Sequence, residues 1–502
     1  MTENKNKFNV LFGFNLMVSF MVVSTFAFSK HFAVDDYWAY VQQEESIHFN
    51  IESNLRPVSS LLLYVLNIIG INIVDKQEFF CFILLLVFAW AVTRITLEIV
   101  NLFDNANSIS RLMFINSGSL VLFFNASISE YLCYTGTYPS WIISIWGLTY
   151  AAIYIGKEER VTKNWILGTI TLTVVAGSYQ TFISQYAYIV MAIIFIRNEG
   201  KITRKSILAV LRAVAAAFVA MGINWGIVKL LINIGIVGSN SRMDISIAKL
   251  PELVMAIISA QKSIWVEGMG MYPNGSLGII LILMVVLLAV MVYRKNKLGG
   301  GIFAILVLIS GQCVMYMAQI MQGYIRVTNR GMMPIFGMYT VGSWVLCYYA
   351  GEKEWKKIGK IGIPIIGIFL FFSIYKINEV AVDTIKTNTV SRCYIDEINR
   401  RICNYEQQKG IEVTKIGFCS DEYISYRYYS FIETSAYGDM CANPFLAEWS
   451  DINSIYYYTG RNFARVEVPE EVVEYYGSRN WDEADWDEQL VFDGDTVFVC
   501  VF

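Results

Sequence analysis

The stretch Phe8–Ser29, FNVLFGFNLMVSFMVVSTFAFS, carries no charge and runs straight into Lys30-His31-Phe32-Ala33-Val34-Asp35-Asp36-Tyr37-Trp38. A charge-free apolar run of this length is what a helix needs to cross the ~30 Å hydrocarbon core of a bilayer. Lys5 and Lys7 precede it. Basic residues beside a first span favour the cytoplasmic side, which puts the N-terminus inside and the loop from residue 30 outside. No Ala-x-Ala cleavage pattern closes the run, so it reads as a retained helix and not a removed signal.

The rest of the chain follows the same pattern. Its 502 residues are 55% hydrophobic and 16% charged, with a mean hydropathy of +0.46. A soluble domain carries about a quarter charged residues. Apolar blocks at 8–29, 78–97, 112–128, 139–155, 164–178, 182–196, 207–233, 277–293, 301–320, 332–350 and 361–378 read as spans. The segment Val58–Val74 is apolar but short and contains Asn67 and Asn72. Loop charge decides its status. The loops rich in Lys and Arg, Lys157–Lys163, Arg197–Lys205, Arg294–Lys297 and Lys353–Lys360, belong on one cytoplasmic side. They share it only if 57–74 is a juxtamembrane helix against the outer surface. The expectation is a mainly α, polytopic bundle of about eleven spans, N-terminus in and C-terminus out. It comprises a transmembrane catalytic domain over 1–380 and a small external α/β domain over 381–502.

In that external part Val390, Tyr394, Ile398 and Ile402 fall at helical spacing within Asn388–Gln408, while Glu412–Phe418 and Thr496–Phe502 read as strands. Pro251-Glu252 fits the start of a surface helix in the 234–276 loop, with Leu250, Val254, Ile257, Ile258 and Trp265 near one face. The net charge of −3 and the absence of a basic tail give no footprint for nucleic acid. Nine cysteines show no CxxC spacing. Cys393 and Cys403 on one helix sit about 15 Å apart along the axis, too far for a disulfide.

The outer loops hold the residues with chemistry to offer. Asp35 and Asp36 can supply a general base and an acceptor-orienting carboxylate, or together bind a divalent cation. Adjacent residues on a helix point about 100° apart, so only one aims at a given atom. Their plainer role is to cap the helix that follows. Arg56, before Pro57 at a helix start, can fork onto a phosphate where helix N–H groups also point, or pair with Asp35 or Glu52. Glu130, Tyr134, Gln180, Arg326 and Arg330 lie on the same face. The tyrosines there are also what an interfacial aromatic belt supplies.

These pieces, in this order, resemble the GtrII-type membrane glucosyltransferases. Asp35-Asp36-Tyr37-Trp38 is followed by Asn54-Leu55-Arg56-Pro57-Val58-Ser59, similar to the family's Gly-Arg-Pro stretch. Asn125 and Ser129-Glu130-Tyr131-Leu132-Cys133-Tyr134 resemble a Glu-Asn-Leu-Ser-Tyr stretch at the outer end of a span, and Ser178-Tyr179-Gln180 a tight outer turn. There are two departures. Leu55 stands where the family has glycine, and Tyr134-Thr135-Gly136-Thr137-Tyr138-Pro139 lacks the aspartate often found after that tyrosine.

The resemblance implies a GT-C-type glycosyltransferase in the plasma (inner) membrane, taking glucose from a polyprenyl-phosphate donor to a cell-surface glycan on the external face with inversion. Asp35 or Asp36 would be the base. Arg56, with Arg326 or Arg330, would meet the lipid phosphate, and Glu130, Tyr134 and Gln180 the sugar or the acceptor. A divalent cation, if one is used, would sit at Asp35 and Asp36. Two other readings stay open at this point: a flippase for lipid-linked sugars, which favours internal two-fold symmetry in the spans, and a non-catalytic surface-polymer assembly protein.

Overall fold

The computed structural model describes residues 2–103, 108–238, 249–321, 323–420, 440, 443–479, 481 and 484–501. Helices dominate, because each apolar block must satisfy its backbone within itself. α1 (Thr2–Phe28) is the first block. The loop after it folds into α2 (Val34–Val41), α3 (Gln43–Glu52) and α4 (Pro57–Ile68). The bundle continues through α5 (Gln77–Val100), α6 (Ile109–Phe123), α7 (Ile128–Cys133), α8 (Tyr138–Gly156), α9 (Val161–Ser178), α10 (Phe182–Arg197) and α11 (Arg204–Asn233). α12 (Leu250–Trp265) precedes α13 (Ser276–Met321), α14 (Asn329–Met332), α15 (Phe336–Tyr349) and α16 (Glu352–Lys409). Among the described residues, five helices are long and apolar enough to cross a membrane: Asn6–Phe28, Gln77–Val100, Arg204–Asn233, Ser276–Met317 and Glu352–Lys409.

Several boundaries differ from the hydropathy blocks, each for a local reason. α4 has 12 residues, about 18 Å of rise, and the chain turns away at Gly70 (φ +74°). It is too short to span. α6 stops at Phe123 because Phe124 leaves helical geometry (φ −107°, ψ 76°). The blocks 277–293 and 301–320 form a hairpin inside α13, reversed at Lys297 (φ 54°, ψ −154°). The return is so tight that a Cβ on Gly300 would lie 2.3 Å from the Cβ of Asn296. Pro334 breaks the 332–350 block between α14 and α15. On α12 the buried residues are Leu253, Ala260 and Ile264, whereas Leu250, Val254, Met255 and Ile258 face outward. The last block does not end near residue 378. α16 runs for 58 residues through Pro364, about 87 Å, because the polar stretch after Tyr375 breaks hydropathy but not helix propensity.

The far end of α16 packs on a small sheet. Val390, Tyr394, Ile398 and Ile402 are buried against Ile416, Val497 and Val499. β1 (Lys415–Ser420), β2 (Ala464–Arg465), β3 (Leu490–Asp493) and β4 (Thr496–Val501) take the order β2-β1-β4-β3. β1 is parallel to β2 and β4, and β3–β4 is an antiparallel hairpin turned at Gly494 (φ +58°). Phe502 lies outside the described residues. Helices α17 (Asp451–Thr459), α18 (Glu470–Gly477) and α19 (Trp486–Gln489) complete this part.

The basic loops gather at one end of the bundle. Arg197 bonds Gly156 O and pairs with Glu98, and Lys205 pairs with Glu158. Asn296 reaches Glu199 O and the Tyr349 hydroxyl, and Arg111 holds Ala350 O and Glu352. Asp35, Arg56, Tyr134, Gln180 and Arg330 sit together at the opposite end.

Candidate active site

A cavity of about 1510 Å³ opens at that second end. Its mouth carries Asp35, Asp36, Arg56, Tyr134, Gln180, Arg326 and Arg330. Deeper, α10, α11 and α13 contribute only apolar or weakly polar walls, among them Val190, Phe218, Met221, Trp225, Val314 and Met317. Of the residues singled out from sequence, only Glu130 does not line it.

The two aspartates start α2 and diverge. Asp36 is 2% exposed. Its Oδ2 accepts the N–H groups of Ala33 (2.8 Å) and Thr135 (3.2 Å), and its Oδ1 that of Gly136 (3.0 Å). It therefore closes the α2 N-terminus and fastens it to the turn after α7. Burial pushes its pKa up to about 7, against the pull of those N–H groups. Asp35 is exposed to the cavity, and its Oδ1 accepts the indole N–H of Trp449 at 3.0 Å. The capping role thus falls to Asp36 and leaves Asp35 facing the open space.

Arg56 is set by an unusual backbone. Leu55 stands at φ +55°, the left-handed region that glycine enters freely and a leucine enters at a cost of about 1–2 kcal/mol. This is the position at which the resembled family has glycine. Gln180 and Asn224 hold the turn. Gln180 Nε2 donates to Asn54 O and Leu55 O, both at 2.9 Å, and Asn224 Nδ2 donates to Leu55 O at 3.0 Å. Gln180 Oε1 then accepts Arg56 Nε at 3.2 Å, while the guanidinium lies 4.0 Å from the centroid of the Tyr179 ring. Burial and the like charge of Arg330 lower the Arg56 pKa, opposed by Tyr179. Among the described residues no carboxylate pairs with Arg56. The expected ion pair with Asp35 or Glu52 does not form, and Glu52 instead accepts the N–H of Gly238 at 2.6 Å.

Arg330 has the opposite arrangement. Buried Glu130, 1% exposed, accepts its backbone N–H at 2.7 Å and meets its Nε at 3.3 Å. Tyr131 Oη donates to Arg330 O at 2.8 Å, and the guanidinium rides 4.6 Å above the Tyr134 ring. Burial opposes its charge, but Tyr134, Glu130 and Asp35 outweigh that and raise its pKa. Glu130 is thus the seat of Arg330, and Gln180 is the clamp of Arg56. Arg326 is exposed at the mouth, its backbone N–H donated to Gln319 at 3.0 Å.

The residues do not fit a divalent cation at Asp35 and Asp36. Both Asp36 oxygens face N–H donors, Asp35 turns away from them, and among the described residues no three His, Cys, Asp or Glu converge. His31 is fully buried between Ser29 O (2.9 Å) and Leu132 O (3.0 Å), and burial lowers its pKa against the pull of those two carbonyls. Sequence reasoning missed Asn224 and Trp449. No local motif marks either, since each is brought in by a distant element.

The cavity mouth thus brings guanidinium groups and a carboxylate together above largely apolar walls in a helical bundle. The family model of the glucosyl transferases described as GtrII matches residues 24–343, and the chain belongs to that family. No curated protein matches the chain.

Proposed function

We propose that this protein moves a glucosyl group from a polyprenyl-phosphate carrier to a hydroxyl of a cell-surface glycan, at the outer face of the plasma membrane. In this reading the chain crosses about eleven times, with the basic end inside and the cavity mouth outside. The observation that carries it is one cavity that joins Asp35 and Arg56, a guanidinium with no carboxylate partner among the described residues, to an apolar shaft. The shaft suits an isoprenoid chain and the rim suits its phosphate.

Asp35 takes the proton of the acceptor hydroxyl as its oxygen attacks the anomeric carbon. The new C–O bond forms on the face opposite the phosphate and inverts the configuration. The bond from carbon to phosphate oxygen breaks, and its electron pair leaves with the lipid phosphate. Charge grows on that phosphate as the bond stretches, so Arg56 and Arg330 stabilise the transition state more than the ground state.

The test is mass spectrometry of surface polymer from cells with the wild-type protein, with Asp35→Asn and with none. Hexose is expected only with the wild type, and Asp35→Asn should lower transfer in membranes supplied with synthetic glucosyl-phosphoryl polyprenol by about 10²–10⁴-fold. Full transfer by that variant ends the assignment of the base. Movement of the labelled lipid between leaflets without a new glycosidic bond favours a flippase.

A further inference from the structure

Part of the cavity wall, beside Asp35, does not come from the bundle. Asn443, Ala447 and Trp449, outside the residues 24–343 matched by the family model, line it. Trp449 is 53% exposed, which is unusual for an indole whose N–H is already bonded at 3.0 Å to a carboxylate. A large aromatic face is therefore held open beside Asp35.

Its segment is anchored to α2. Ser450 and Asp451, which follow Trp449, lead into α17, and Tyr457 and Tyr458 of that helix lock onto the start of α2. The Tyr457 ring lies 4.8 Å from that of Phe32 and 4.8 Å from that of Tyr40, and the hydroxyls of Tyr458 and Tyr37 are 3.2 Å apart. Asn388 of α16 bonds both the N–H (2.8 Å) and the C=O (3.0 Å) of Phe32. The base-bearing helix and the aromatic face are thus one unit, built from residues some 400 positions apart.

We propose that Trp449 is the platform of the acceptor subsite: the apolar face of a hexose unit of the glycan lies on the indole, and the tether to Asp35 sets its hydroxyl beside the base. Sugar rings carry axial C–H bonds on one face, and these are attracted to the negative face of an aromatic ring. The lipid donor approaches from the shaft, so the platform meets the acceptor and not the donor. This inference rests on the transferase reading above.

The test uses full-length protein in membranes, synthetic glucosyl-phosphoryl polyprenol as donor, and surface polymer extracted from cells lacking the protein as acceptor. Trp449→Ala is expected to raise the KM for that polymer by about tenfold, with the KM for the donor unchanged and the melting temperature kept. Trp449→Phe, which keeps a ring face, is expected to hold the polymer KM within about threefold of wild type while lowering kcat through loss of the tether. An unchanged polymer KM in Trp449→Ala overturns the proposal, as does an equal rise for both variants. If the wild type itself forms no glycosidic bond, the transferase reading fails first, and that outcome is separate from either result.

Discussion

The two ends of the bundle treat their buried and half-buried arginines in opposite ways. At the basic end Arg111, 6% exposed in its side chain, meets Glu352 and a carbonyl, and Arg197 meets Glu98 and a carbonyl. At the cavity end Arg56 faces an amide oxygen and a tyrosine ring, with no carboxylate among the described residues. Burying a charge without a counter-ion works against the fold. Here the group is braced by Gln180 and by a leucine in a left-handed turn, and in the proposed reading its counter-ion is the donor phosphate. The paired cations hold the fold together, whereas Arg56, with no carboxylate partner among the described residues, is the one the proposed function assigns to an anion.

The contrast can be broken most directly by removing one arginine from each end. Arg56→Gln should lower transfer by about 10²-fold or more while the protein melts no earlier than wild type. Arg111→Gln should leave transfer per folded molecule intact and destabilise by about 1–3 kcal/mol, because Ala350 O loses its donor. Thermal melting in detergent beside label transfer reads both. If both variants lose only stability, the distinction between the ends is void.

Glu130→Gln sharpens it. Arg330 would become a second cation without its carboxylate, loosened from its seat, and kcat is expected to fall by about tenfold with a smaller loss of stability.

Asp36 supplies a pH signature for the cavity end. Its pKa rises from 3.8 to about 7 on folding, so the fold favours its protonated form. The stabilisation is complete below about pH 4 and is lost as pH climbs through 7. The melting temperature of Asp36→Asn should vary less across pH 5–8 than that of wild type. An unchanged pH profile would place the group elsewhere.

The smallest effect concerns Leu55. Leu55→Gly removes the strain at φ +55° and should change stability by about 1 kcal/mol or less, since freedom gained in the unfolded chain offsets part of the relief. Activity should be retained.

Much of this was legible in the sequence, for reasons that can be named. Long apolar blocks gave the helices, the 3.6-residue repeat from Val390 to Ile402 gave the packed face of α16, and the 100° step between neighbouring helical residues separated Asp35 from Asp36. The division of labour between the aspartates was hidden, because it depends on the N–H groups of Thr135 and Gly136, a hundred residues away. Leu55 in place of a glycine was visible as a departure, but its positive φ and the bracing by Asn224 were not. The continuity of α16 was missed because hydropathy reports solvent and not helix formation. Trp449 lay beyond reach, since only α16 and α17 bring it to α2.

The continuous course of α16 makes angular register a property of the cavity end. A helix advances about 100° per residue, so one residue inserted near the exposed Cys393 swings everything beyond it by that angle, whereas seven residues restore the phase to within about 20°. The sheet would survive either change, but the indole would stay in line with its carboxylate only if whole turns were added, and then some 10 Å out of place. The cavity end is thus set by rotation about this helix as tightly as by distance along it.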